Sequence, residues 1–205
     1  MNFFTADTHF FHRDLLYGGF FAPREQFVTV DQMNETIVAN WNARVKSTDT
    51  VYHLGDIMLA VDRPAKQMMA EMLVYLQRLN GRLVLIKGNH DTSAFLKYLL
   101  AHNDIDDKGR PKFSVHEVGT RMKFAHYEVF LTHYPLLFGL TKNKINLHGH
   151  IHHASIHHKE NINVGIDSPD RDYLPTDSVP FGAPLSEAEV VAIILGKRRD
   201  YLQRQ

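Results

Sequence analysis

The stretch RLVLIKGNHDTSAFLKYLL, residues 82–100, carries the pattern on which the fold turns. Its aliphatic centre, LVLI, is too short for a helix and suits a strand buried on both faces. It runs straight into a polar loop, GNHD (88–91), after which Thr92 or Ser93 caps a short helix that reaches about His102. The same order of strand, histidine-bearing loop and helix recurs on the N-terminal side. NFFTA (2–6) ends at DTHFFH (7–12), and a helix follows with Asp31 as its N-cap and Met33, Ile37, Trp41 and Val45 along one stripe. TVYHL (50–54) ends at GDI (55–57). The next helix has Ala65, Met68, Met69, Met72, Leu73, Leu76 and Leu79 at helical spacing, opened by Asp62 and Pro64 and closed by Asn80-Gly81. Three such units predict a βαβα arrangement whose sheet is parallel at least in part.

Beyond DDKGRP (106–111) the pattern changes. FSVHEV (113–118), TRMKFA (120–125) and YEVFLTH (127–133) are short β-type runs with little room for helices between them, so antiparallel hairpins are expected. KINLHG (144–149) and NINVGI (161–166) read as two further strands around LHGHIHH (147–153). SPDRDYLPTDSVPFGAP (168–184) is a loop holding four of the eight prolines, placed to fold over a site or to meet another subunit. A capping box from Ser186 to Glu189 then opens a last helix over VVAIIL.

The chain has 205 residues, 44% of them hydrophobic, which suffices for one substantial core, and a single domain over 1–205 is expected. Lys+Arg and Asp+Glu are both 23, so no global field selects nucleic acid, anionic membrane or acidic partners, and the partner must be recognised locally. Without cysteine there is neither a disulfide framework nor a thiolate metal site; any metal must be held by nitrogen and oxygen. The opening MNFFTADTH lacks the layout of a signal peptide, and the longest apolar run, Val190 to Leu195, is far too short for a bilayer. A cytoplasmic protein with no membrane contact is the expectation.

The chemistry concentrates at strand ends. If those segments stay extended, side chains alternate, so Asp7 and His9 share a side, as do His150 and His152. Adding Asp56, Asn89, His90 and His133 gives two carboxylates, one amide oxygen and five imidazoles. That donor set suits borderline divalent cations such as Mn, Fe, Zn, Co or Ni.

These residues carry a resemblance. D-x-H at Asp7 to His9, G-D at Gly55-Asp56, G-N-H-D at Gly88 to Asp91, His133 in LTHYP and G-H-x-H at Gly149 to His152 resemble, in order, the five blocks of the calcineurin-like metallophosphoesterases. ADTHFFH, VYHLGD, IKGNHD and NVGID further resemble a compact bacterial and phage branch of that superfamily. The resemblance implies a four-layer α/β/β/α sandwich, two mixed β-sheets flanked by helices. It also implies a site for two divalent ions, Mn foremost, roughly 3.5–4 Å apart. Asp7, His9 and His152 would hold the first ion, Asn89, His133 and His150 the second, and Asp56 would bridge them. A metal-bridging hydroxide would attack phosphorus in a phosphodiester or phosphomonoester, with His90 as general acid for the leaving alkoxide.

Around that core, Asn89 and His12 are candidates for contact with the substrate phosphate, His12 having the rim as its alternative. Asp91 is read as a cap of the following helix, with orientation of His90 as the other option. His148 is a supporting or packing residue, His53 a core residue rather than a ligand, and His153, His157 and His158 belong to a solvated turn. Lys142, Lys144, Lys159 and Arg171 are read as scattered surface charge, with attraction of an anionic substrate as the other option. The substrate expected is a phosphate ester, of a nucleotide or another small molecule. Two further readings stand beside it: a nuclease of the same chemistry, which would need a track of lysine and arginine leading to the site, and a catalytically silent scaffold of the same fold.

Overall fold

The computed structural model describes residues 1–17, 22–59, 64–139 and 141–204. Asp62, expected to help open a helix, lies outside the described residues. The elements, in chain order, are β1 (Asn2–Thr5), α1 (Val30–Arg44), β2 (Thr50–His53), α2 (Ala65–Arg78), β3 (Arg82–Ile86), α3 (Ser93–Ala101) and β4 (Phe113–His116). They continue with β5 (Gly119–Phe124), β6 (Tyr127–Thr132), β7 (Lys144–His148), β8 (Asn161–Asn163), β9 (Leu185–Ser186) and α4 (Glu187–Gln203). Short 3-10 turns lie at Arg13–Leu16, Ala22–Arg24 and Pro169–Tyr173. One sheet has the order β4-β3-β2-β1-β9 and the other β5-β6-β7-β8. In the first, β1 to β4 are parallel and β9 is antiparallel to β1. In the second, β5 and β6 form a hairpin while β6, β7 and β8 run parallel. The result is two mixed sheets flanked by helices, as expected.

The apolar runs of the first sheet are buried on both faces because each face has a partner. On one, Phe3, Val51, Leu83, Leu85 and Phe113 pack with Met33, Ile37, Trp41, Met72, Leu76, Phe95 and Leu99 of α1, α2 and α3. On the other, Phe4, Leu54 and Ile86 meet Val129, Leu131, Ile145, Leu147 and Ile162 of the second sheet and Val190, Ile193 and Ile194 of α4. Trp41 has no exposed surface, and its indole N–H donates to Asn80 O at 3.0 Å. At ~25 cal/mol per Å² over an area on the order of 150–250 Å², that single ring contributes about 4–6 kcal/mol to burial.

Three expectations change. The cap of α1 is Thr29, whose hydroxyl accepts the Gln32 amide at 3.1 Å from an extended backbone, and Asp31 lies within the first helical turn. FSVHEV does not enter a hairpin: β4 pairs parallel with β3, Leu83 opposite Phe113, because the fully buried Phe113 needs the α1–α3 face of the first sheet. Of the late strands only β5 and β6 form a hairpin, turning through left-handed Ala125 and His126. Loop 168–184 is anchored to the fold. Asp170 receives Lys197 Nζ of α4 at 2.7 Å, and Arg171, counted among surface charges, donates from half-burial to Gly165 O and Ala183 O. The capping box at Ser186 and Glu189 forms, and α3 starts after Thr92, whose hydroxyl accepts the Phe95 amide. Among the described residues, no helix is long and apolar enough to cross a membrane.

Candidate metal centre

Five loops leave the C-terminal ends of β1, β2, β3, β6 and β7, all parallel within their sheets, and converge beyond those strand ends. The loop after β1 carries Asp7, His9 and His12, and that after β2 carries Asp56. Asn89 and His90 follow β3, His133 follows β6, and His150 and His152 follow β7. The alternation of an extended chain is not what pairs them. Asp7, His9, Asp56, His150 and His152 all have left-handed backbone, with φ of 57°, 46°, 56°, 73° and 47°. Such φ values cost on the order of 1–3 kcal/mol each in non-glycine residues and persist only where the surroundings fix them. Two glycines permit the close approach: a Cβ on Gly88 would lie 2.3 Å from both Asp56 N and Oδ1, and one on Gly149 would lie 2.4 Å from Asp7 Oδ2.

Two groups of donors result. Asp7, His9 and His152 offer ligand atoms within 4.8 Å of one another, as do Asp56, His133 and His150. Asn89 joins the second group: its Oδ1 lies 2.9 Å from His133 Nε2 and 2.8 Å from His150 Nδ1. Asp56 Oδ2 lies between the groups, 3.6 Å from His9 Nε2 and 3.5 Å from His133 Nε2. His90 is at the rim, its amide donating to Asp56 Oδ1 at 2.9 Å and its Nε2 4.0 Å from Oδ2. The side chain of His90 keeps 37% of its surface in solvent.

The hydrogen bonds behind these atoms set their chemistry. The Leu54 carbonyl can only accept, so His133 Nδ1 carries the hydrogen of their 2.8 Å bond. Burial lowers the His133 pKa, and the neutral ring turns its Nε2 lone pair towards Asn89 Oδ1 and Asp56 Oδ2. Three lone-pair atoms facing one another have a cation as their common partner. His152 Nδ1 likewise faces Asp167 Oδ2 at 3.2 Å, which leaves Nε2 for the first group. His9 Nε2 is buried with no hydrogen-bond partner, while its Nδ1 meets His12 Nδ1 at 3.3 Å. Burial, reinforced by Arg24 and the neighbouring histidines, holds His9 well below its ordinary pKa, in the neutral form a metal requires. Burial pushes the Asp7 carboxyl up to about 7, opposed by His152 and by the His150 amide, which donates to both carboxylate oxygens at 3.0 Å. A divalent cation against Asp7 acts in the opposite direction to burial. The orphan Nε2, the facing lone pairs and the mixed oxygen and nitrogen donors all fit a pair of such cations.

The other candidates fall as follows. His12 is half-buried against the His9 ring, and burial together with Arg24 lowers its pKa to about 4. Asp91 does not cap α3, and its carboxylate is engaged elsewhere than with the His90 ring: it accepts the amides of Asp56, Ile57 and Gly88 at 2.8, 3.0 and 2.9 Å and so ties the loop after β2 to the loop after β3. His53 is buried, accepts the Gly55 amide on Nδ1 and donates from Nε2 to Thr8 Oγ1, whose hydroxyl donates to Ile57 O. His148 is buried beside its ligand-bearing loop, with Nδ1 at 2.9 Å from Gly149 O. His153, His157 and His158 are exposed.

Sequence reasoning missed Arg24 and Asp167. Arg24 is completely buried and binds the Asp167 carboxylate through Nε and Nη2. Burial raises Asp167, but Arg24 and His152 outweigh it and hold the carboxyl below its ordinary range. Asp167 stands in NVGID, a stretch already singled out; nothing in FAPREQF distinguishes Arg24 from a surface arginine.

Parallel strands feeding polar loops into one cleft, with two groups of oxygen and nitrogen donors that could hold metal, define an α/β protein with a candidate metal centre at its strand ends. A profile of the calcineurin-like phosphoesterase superfamily domain matches residues 4–171, and the chain belongs to that superfamily. It is 33% identical over 154 residues to the uncharacterized protein MJ1445 of Methanocaldococcus jannaschii, covering 75% of this chain and 69% of that protein. It is 26% identical over 191 residues to the gene 66 protein of Mycobacterium phage L5, covering 80% and 86%. In fold it is similar to AQ665 of Aquifex aeolicus, a crystal structure of a protein of unknown function. That similarity has a TM-score of 0.60 at 22% identity and covers 93% of this chain and 97% of the other.

Proposed function

We propose that this protein is a metal-dependent phosphoesterase that hydrolyses a phosphodiester or phosphomonoester of a nucleotide or similar small molecule. In this reading Asp7, His9 and His152 hold one divalent cation, Asn89, His133 and His150 hold a second, and Asp56 contacts both; Mn suits the mixed donor set best. The observation that carries it is the position of Asp56 Oδ2, equidistant to within 0.1 Å from imidazole nitrogens of the two groups, at 3.6 and 3.5 Å. When bound, the two cations supply Lewis acidity at the phosphoryl oxygens and lower the pKa of a water that serves as nucleophile.

The chain's own residues supply the rest. His90 is fixed through its amide to Asp56 while its ring faces solvent, so the imidazolium can give a proton to the departing alkoxide and regain it from water. Asn89, beside His133 and His150, and His12, beside His9, are the residues we assign to contact with the phosphoryl group. Tyr134 is 51% exposed, with its ring 4.5 Å from that of His150, and offers an aromatic surface to the organic part of the ester. Its loop is pinned by Thr132 Oγ1 donating to Tyr134 O at 2.6 Å and by the Leu136 amide donating to Asn146 Oδ1 at 2.7 Å.

The test is a screen of the purified chain against nucleotide mono- and diesters, 2′,3′-cyclic and 3′,5′-cyclic forms included, with Mn, Zn, Co, Ni and Fe in turn. Hydrolysis that disappears with a chelator and returns with metal is the expected result. A folded protein inert to every ester with every metal would leave the silent scaffold as the better account.

A further inference from the structure

We propose that Arg24 and Asp167 are positioning residues for the cation group of Asp7, His9 and His152: Asp167 orients the His152 ring, and Arg24 locks Asp167 to the backbone that presents Asp7. The inference rests on the two-cation reading given above.

The guanidinium of Arg24 spends every donor it has. Nε reaches Asp167 Oδ1 and Oδ2, both at 3.0 Å, and Nη2 reaches Asp167 Oδ2 at 2.7 Å and Asp7 O at 2.6 Å. Nη1 donates to Thr8 O at 3.0 Å and meets Met33 Sδ at 3.6 Å. With no exposed surface and no donor left over, Arg24 is not available to bind a substrate phosphate. What it joins is informative. Asp7 and Thr8 form the loop after β1, and Asp167 follows β8, 143 residues beyond Arg24. Through Asp167 Oδ2 and His152 Nδ1, the same network reaches the loop after β7. Three separate loops thus hold their relative positions through one planar cation.

The chemistry explains why an arginine stands there. Burying a guanidinium is costly unless its partners are well placed, so a buried fork aimed at a ligand's backbone and at a ligand's carboxylate partner is there for geometry. An imidazole whose Nδ1 faces a carboxylate presents Nε2 as a lone pair in a fixed direction, and removing such a partner weakens metal binding by about 10–100-fold. His152 also stacks on His9 with ring centroids 4.9 Å apart, so a tilt of one ring displaces the other. The second group has its own support, the Leu54 carbonyl that accepts from His133 Nδ1, and it takes no part in the network of Arg24 and Asp167.

The experiment measures Mn binding by calorimetry and bound metal by elemental analysis, on the full chain and on Asp167→Asn, Arg24→Met and Arg24→Lys, with His152→Ala as reference. The wild type should take two ions. Asp167→Asn should weaken one of them by about 10–100-fold, the same ion that His152→Ala removes, and leave the other within a few-fold. Arg24→Met should act on that same ion, and Arg24→Lys, which keeps the charge but loses the fork, should restore only part of the affinity. If Arg24→Met does not fold, the near-isosteric Asp167→Asn decides the matter. Two ions bound by Asp167→Asn with wild-type affinity overturn the inference, as does an equal loss of both ions in step with a lower Tm of the metal-free protein. A wild type that binds no ion overturns this inference and the proposed function together, whereas a two-ion wild type with indifferent variants overturns this inference alone.

Discussion

At the scale of single residues, the site joins donor types that a sequence displays to backbone conformations that it does not. Seven metal-ligand candidates were legible because Asp, Asn and His are the residues a cysteine-free chain must use. Their left-handed φ values were not, since Asp and His are enriched in that region but no local rule says which of them will adopt it. Replacing His90 by alanine is expected to slow hydrolysis by on the order of 10²–10⁴-fold for an alkyl or ribosyl leaving group. Nitrophenyl esters should suffer less, because nitrophenolate departs without a proton. Equal rates of the two proteins on an alkyl ester would remove His90 from the proton-transfer step. Gly88→Ala tests the packing between loops: a methyl 2.3 Å from Asp56 should cost about 1–3 kcal/mol and weaken cation binding. Urea unfolding and Mn titration check it, and unchanged values in both would show that the loop yields without penalty.

At the scale of elements, periodicity served well where burial was one-sided and capping was local. The α2 stripe depends only on the spacing of apolar residues along one helix, the Thr92 cap and the Ser186–Glu189 box on residues within one turn, and the structure has all three. The cap of α1 went astray by two positions because Thr29 and Asp31 are both good cap residues and only the entry angle of the chain selects one. Thr29→Ala should therefore destabilise the protein by about 0.5–2 kcal/mol and Asp31→Ala by less, since Asp31 lies in the first turn and does not cap the helix but acts through its charge on the dipole. Denaturant midpoints in which Asp31→Ala is the more damaging change would reverse that assignment. Strand β4 escaped for a different reason. Three consecutive short β-type runs look like a meander, and whether the first joins the next strand or an earlier one depends on which face has space for Phe113.

At the scale of the whole molecule, the convergence of loops buries histidines behind the site, His53 and His148 among them, and these should make the metal-free fold sensitive to acid, against the opposite tendency of the buried Asp7 and Asp91 carboxyls. Burial, with the nearby His133, lowers His53 to about 3 from its ordinary 6.5. The unfolded chain therefore binds more protons than the folded one between about pH 6.5 and 3. Stability from this group is fully present above pH 6.5 and is lost as pH falls through that window, by up to ~1.4 kcal/mol per pH unit. Urea unfolding of the metal-free protein at pH 7 and pH 5 should show the loss, and His53→Gln should flatten it; parallel slopes for the two proteins would contradict the account. The sequence by itself determined the alternation of strand, loop and helix, the types of candidate donor and their order along the chain, because those follow from hydrophobic period and from donor chemistry. Only the tertiary structure decided that β4 runs parallel to β3, that Asp91 ties two loops together and that Arg24 and Asp167 stand behind His152. Each of these is a contact between segments far apart in the chain, fixed by which faces must be buried together and by which buried polar atoms must find partners.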